Sequence, residues 1–279
     1  MGEERTTAKG FRQRLDDGDS IVIAEGYLFE FERRCYLKAG PYVPEVVLEY
    51  PDLVRTMHEE FVHAGSDVVL AFTYYGHREK MRQAGREGDL ERMNRTALRI
   101  AREVADQTGT LMAGDICNTT AYDTDRPETH DAVREMFKEQ IEWIVEEKAD
   151  FIVVETMGHI GEALLALEAV KQYGKGLEAV VTMAIYFEDQ TFEGTDIVTA
   201  MQQLEAAGAA VVGLNCGRGP ITMLPTMRKI RERVKIPIAA LPVAYRTDTK
   251  SPTLHSLKDP ESGILFNLVN LNYKTFDHI

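Results

Sequence analysis

Residues 211–220, Val-Val-Gly-Leu-Asn-Cys-Gly-Arg-Gly-Pro, are where chemistry can begin: an apolar run of buried-strand type breaks at Asn215, Cys216 and a glycine-rich turn. A thiol where a strand ends is soft and ionisable. At the carboxyl ends of parallel strands, where α/β proteins bind ligands, it serves as a metal ligand or a nucleophile; elsewhere it is a small buried side chain. Other strand-like runs end on polar residues too. Glu25 follows residues 20–24, Thr73 with Tyr74 and Tyr75 follows 67–72, Asp115 with Cys117 follows 110–114, Glu155 follows 151–154 and Tyr245 follows 237–241. Carboxylates there either grip a cation or tie loops and helix caps. Aromatic rings there either hold a desolvated methylammonium or fill the rim.

These residues need a frame. Apolar runs at 20–24, 67–72, 110–114, 151–154, 179–184, 210–214 and 237–241 predict strands. Helical spacing predicts helices at 11–15, 51–64, 90–106, 128–148, 158–173, 195–207 and 221–234, and residues 27–44 read as a long irregular segment. Strand-then-helix units without a reversal signal make one parallel sheet with helices outside. The expected fold is therefore α/β, a (β/α)8 TIM-type barrel with seven clear strands, incomplete at its C-terminal end. On a barrel all the strand-end residues face one rim. A doubly wound sheet is the alternative, but the first strand-to-helix turn lacks its Gly-x-Gly-x-x-Gly fingerprint. Residues 1–279 are expected to form one domain, with 246–279 atypical: a polar stretch, then a further strand-like run at 264–269 with no helix after it.

Composition narrows the partners. A formal charge of −13 and a pI near 5.1 argue against nucleic acid, which needs clustered Lys and Arg. No apolar run approaches the roughly 18 residues of a membrane span, and the first twenty residues are polar, so no membrane partner and a cytoplasmic location are expected. Cys35, Cys117 and Cys216 are odd in number and widely spaced, which predicts reduced thiols. They include no Cys-x-x-Cys pair.

The strand-end residues also carry a resemblance. Glu25-Gly26, Arg33-Arg34-Cys35-Tyr36-Leu37-Lys38-Ala39-Gly40-Pro41-Tyr42-Val43-Pro44-Glu45, Ala64-Gly65-Ser66, Phe72-Thr73-Tyr74-Tyr75, Glu155 and Val212-Gly213-Leu214-Asn215-Cys216 together resemble the homocysteine S-methyltransferase family, its betaine-dependent members most. The likeness runs from about Gly10 to about Tyr245. It implies a barrel with a rim zinc held by three cysteine thiolates, the first at Cys216. Homocysteine would place its sulfur on that metal, which deprotonates a coordinated thiol near neutral pH. The resemblance also implies that Glu25 and Glu155 grip the substrate amino group. The substrate pocket is thus expected to comprise Glu25, Gly26, Tyr42, Phe72, Thr73, Tyr75 and Glu155. An onium donor such as betaine wants ring faces, which Tyr42, Phe72, Tyr74 and Tyr75 offer, Tyr42 and Tyr75 foremost.

Three departures stand against this. Glu25-Gly26-Tyr27 replaces the family's Asp-Gly-Gly, and Cys35 stands where Gly is expected. The family's second and third zinc ligands are an adjacent Cys-Cys pair after the eighth strand, and this sequence has no such pair. One cysteine falls short of the usual three protein ligands. The expected function is methyl transfer to homocysteine, giving methionine; the second reading is a silent barrel that binds a small amino acid or partner without turnover. Open strand edges on an incomplete barrel would favour a homo-oligomer.

Overall fold

The computed structural model describes residues 9–37 and 43–258. Helices α1 (Phe11–Asp16), α2 (Tyr27–Arg33), α3 (Val46–Glu49) and α4 (Pro51–His63) precede β1 (Val68–Leu70). Two more, α5 (Arg78–Gln83) and α6 (Leu90–Thr108), lead to β2 (Leu111–Cys117). Strand and helix then alternate through α7 (Glu128–Glu146), β3 (Phe151–Met157), α8 (Ile160–Tyr173), β4 (Ala179–Met183), α9 (Ile197–Ala206), β5 (Val211–Asn215), α10 (Pro220–Arg233) and β6 (Ile238–Leu241).

All described pairings in this sheet are parallel and follow chain order, β1 to β6, making a curled half-barrel. The strand expected at 20–24 is reduced to one parallel bridge, Ile23 to Val68. Its pairing is cut short for two reasons. The Asp67 carboxylate takes the Val22 N–H at 2.8 Å, and Gly26, at φ 84°, turns the chain directly into α2. That helix lies within the segment expected to be irregular. Tyr27 and Phe31, one turn apart, are both buried, and Glu30 pairs with Arg33 and Arg34 at 2.7 and 3.2 Å, so short-range contacts suffice to wind it. The strand expected at 264–269 lies outside the described residues.

Two-residue alternation sorts the strand residues onto two faces. Met112, Ile116, Ile152, Val154, Val181, Val212 and Leu214 pack outward with helix residues such as Leu98, Ile141 and Leu204. Gly114 shares that phase because a Cβ there would lie 2.4 Å from the Ile144 side chain, so its absence lets α7 close on β2. Leu70, Leu111, Ala113, Phe151, Val153, Val180 and Val211 form the inner face. At its foot Phe11 of α1 stacks on Phe151, with ring centroids 3.9 Å apart and planes 10° apart. One further step brings the inward phase to Asp115 and Glu155, and on β5 two steps, through Gly213, bring it from Val211 to Asn215. No helix among the described residues is long and apolar enough to cross a membrane.

Candidate functional site

A cavity of about 640 Å³ opens at this upper end, between the segment 22–30 and the chain leaving β6. Glu25, Asp115, Glu155, Asn215 and Cys216 line it, together with Phe72, Tyr74 and Tyr245. The strand reading ends β3 at Val154. In the structure β3 runs on to Met157, and its register with β4 shifts between Val154 and Met157. Thr156 in this irregularity sits at φ 58°, a left-handed conformation that is unusual for a β-branched residue. Asn215 of β5 holds it there. The Asn215 Oδ1 accepts from the Thr156 N–H at 2.9 Å, and its Nδ2 donates to Glu155 Oε2 at 2.9 Å and to Thr156 Oγ1 at 2.7 Å. Thr156 Oγ1 donates to the same Glu155 oxygen at 3.0 Å. Tyr75 and Cys216, at φ 57° each, are also left-handed non-glycine residues beside the cavity, the kind of backbone strain that collects at functional sites.

The acid wall is electrostatically unbalanced. Asp115 and Glu155 are 1% and 7% exposed, and Glu25 is half-buried. Among the described residues no ion pair involves any of the three. Burial, and then the neighbouring Glu155, raise Glu25 well above the ordinary carboxylate range. Burial followed by Glu155 and Glu25 does the same to Asp115. Burial lifts Glu155 to about 7, held back by hydrogen bonds from Thr156 and Asp115. Carboxyl groups this deep stay charged only with a cation beside them, so the wall either holds protons or awaits a positively charged ligand.

Cys216 faces that wall. Burial pushes its thiol up to about 11, against the lowering effect of the Gly217 N–H. Tyr186, Tyr74, Tyr75 and Tyr245 stand near enough to the thiol for charge on the sulfur to act on each phenol. Tyr186 is brought there by Arg218, which donates to the carbonyls of Ile185 and Phe187 at 3.4 and 3.0 Å. The zinc implied by resemblance meets a donor set that does not fit it. Among the described residues no group of three His, Cys, Asp or Glu side chains is placed to hold a metal. Of the other cysteines, Cys117 is buried with its Sγ accepting from the Tyr75 N–H at 3.2 Å, and Cys35 is exposed.

The expected site residues separate into three groups. Glu25, Gly26, Phe72, Glu155 and Cys216 line the cavity. Thr73 and Tyr75 stand behind it: Thr73 Oγ1 donates to the Asp115 carbonyl at 2.7 Å, while the Tyr75 ring lies 4.3 Å from that of Tyr74, with Lys80 Nζ 4.4 Å from its centroid. Tyr42 lies outside the described residues. Asp115, Asn215, Tyr74 and Tyr245, already marked as strand-end residues, also line the cavity, and the structure adds Tyr186 beside Cys216. Asn215 carried a signal in the Gly-x-Asn-Cys strand end and Asp115 in its strand phase; Tyr186 carried none.

Comparison with known proteins gives a family and a fold. A family model described as homocysteine S-methyltransferase matches residues 25–262. Betaine–homocysteine S-methyltransferase 1 of Bos taurus is 35% identical over 252 residues, covering 87% of this chain and 61% of that protein. S-methylmethionine–homocysteine S-methyltransferase BHMT2 of Mus musculus is 36% identical over 227 residues, covering 81% and 60%. This chain thus spans about 60% of the length of these curated relatives. In three dimensions it is similar to the homocysteine methyltransferase MmuM of Escherichia coli in its metallated form. The TM-score is 0.70 at 20% identity over 81% of this chain and 85% of that one, a likeness of fold.

Proposed function

Because the chain belongs to the homocysteine S-methyltransferase family, we propose that its cavity binds homocysteine and that a methyl group passes from an onium donor to the homocysteine sulfur, giving methionine. One observation carries the reading: an acid wall without a described cation, and a thiol among tyrosines, face the same 640 Å³ cavity. Glu25 and Glu155 take the α-ammonium, forming charge-assisted hydrogen bonds that offset their burial. Asn215 and Thr156 hold Glu155 in place for this. Gly26 supplies the turn that carries Glu25 into the cavity.

Phe72, Tyr74 and Tyr245 offer ring faces to the donor, whose positive charge they stabilise by about 0.5 to 2 kcal/mol per contact. Betaine and S-methylmethionine both carry such an onium centre. Transfer forms one S–C bond and breaks the donor's C–N or C–S bond. The electron pair of that bond stays on the donor, and the thiol proton is released. A zinc site on Cys216 needs two further donors that no described residue places there.

Purified chain incubated with homocysteine and either donor should yield methionine, detected by mass spectrometry. At sub-saturating homocysteine the rate should fall ten- to a hundredfold in Glu155→Gln, the cost of a charge-assisted bond. Binding of homocysteine with no methionine from either donor would leave an amino-acid-binding barrel instead.

A further inference from the structure

Asp115 is the polar group of the cavity that packing explains least. Its side chain is 1% exposed, and its Oδ1 has no hydrogen-bond partner. The carboxyl lies against that of Glu155, while Thr73 Oγ1 ties only its main-chain carbonyl, at 2.7 Å. The backbone of Asp115 is thus fixed while one side-chain oxygen is left over, buried, at the cavity wall. Two neighbouring carboxyl groups this deeply buried must keep a proton between them, since two anions would repel. Thr156 and Asn215 already donate to Glu155 and favour its charged form, so the proton belongs on Asp115.

We propose that Asp115 completes a three-carboxyl socket for a primary ammonium, donating one hydrogen bond to Glu155 and presenting its other oxygen to the ligand. The inference rests on the ammonium reading of Glu25 and Glu155, and adds to it a third binding residue and a selectivity. A primary ammonium has three N–H donors. Glu25 ahead of α2, Asp115 on β2 and Glu155 on β3 supply three acceptors from three separate elements. Each N-methyl group removes one donor and leaves one buried oxygen unpaired, which is the costly outcome. The socket therefore selects primary over N-methylated amino groups, and an onium donor is left to the rings. The titratable groups facing Asp115 are Glu155, Glu25 and Cys117.

Calorimetric titration of the whole chain between pH 6 and 9, with homocysteine and its N,N-dimethyl derivative, tests the socket. Wild type should prefer homocysteine by at least about tenfold. Asp115→Ala should weaken homocysteine about tenfold and erase most of that preference. Asp115→Asn keeps a neutral donor and an oxygen, and should bind within about threefold of wild type with a flatter pH profile. Unchanged affinity and preference in Asp115→Ala, while Glu155→Gln loses binding, would overturn the socket alone. An Asn variant as weak as the Ala variant would overturn the neutral-donor role. Failure of the wild type to bind homocysteine would overturn the ammonium reading and the socket together. Should Asp115→Ala not fold, the primary-to-dimethyl preference of the wild type still decides, and its absence overturns the proposal.

Discussion

The foot and the mouth of the half-barrel are built from the same strands and carry opposite chemistry. Phe151 and Glu155 occupy the same face of β3, roughly 13 Å apart at 3.3 Å per residue. At the foot, Phe151 is fully buried against the Phe11 ring, a contact complete in itself. At the mouth, Glu155 is nearly as deep but meets Asp115, Asn215 and Thr156 with no described cation. Strand periodicity decides which residues point inward; what covers them decides whether burial stabilises the fold or waits for a ligand.

Breaking the foot should have the largest effect. Phe151→Ala removes the stack and leaves a cavity, at a cost of about 3–5 kcal/mol, read as a lower urea midpoint with an unchanged m-value. A midpoint within error of wild type would remove the contrast between the two ends.

The mouth should announce itself through pH. Glu155 is raised from 4.5 to about 7, so between those values the folded chain holds a proton that the unfolded chain has lost. Its contribution is fully present below about pH 4.5 and is lost as pH rises through 7, on the order of 2–3 kcal/mol. Carboxylates with arginine partners, such as Glu79 at about 2, titrate lower and act in the opposite direction there. Buried His58 and His77, lowered to about 3 and about 4, also act in the opposite direction up to pH 6.5, so the mouth is read as a difference: from pH 5 to pH 8 wild type should lose more stability, or gain less, than Glu155→Gln. Parallel slopes for wild type and Glu155→Gln over this window would mean the mouth is charge-balanced.

The smallest expected effect is at the rings. Tyr74→Leu should raise the KM of the methyl donor about fivefold and leave that of homocysteine unchanged, the worth of about 1 kcal/mol from a ring face. Equal shifts in both constants would show a general loosening of the cavity instead.

The parallel α/β succession is legible in the sequence because each strand–helix unit repeats a local signal: an apolar run, a turn, then helical spacing. The inward phase of Asp115, Glu155 and Asn215 is equally local, since each continues the alternation of its own strand. Other features need contacts that no single segment carries. The first strand fails because Asp67, distant in sequence, takes the Val22 N–H. The bulge at Thr156 exists because Asn215 reaches back from β5. The tyrosines around Cys216 come from the chain after β1, after β4 and after β6, and only closure of the sheet brings them together. Asp115 reads as a strand-end carboxylate; its unpartnered oxygen appears only once the neighbours are placed.

Homocysteine binding at pH 8, compared with that of 4-mercaptobutanoate, the same skeleton without its amino group, tests the central claim most directly. The wild type should favour homocysteine by ten- to a hundredfold, and Glu155→Gln should lose that preference while keeping its fold. A Glu155→Gln protein that is destabilised yet prefers homocysteine as strongly as wild type would make Glu155 a structural tie, and would contradict the account.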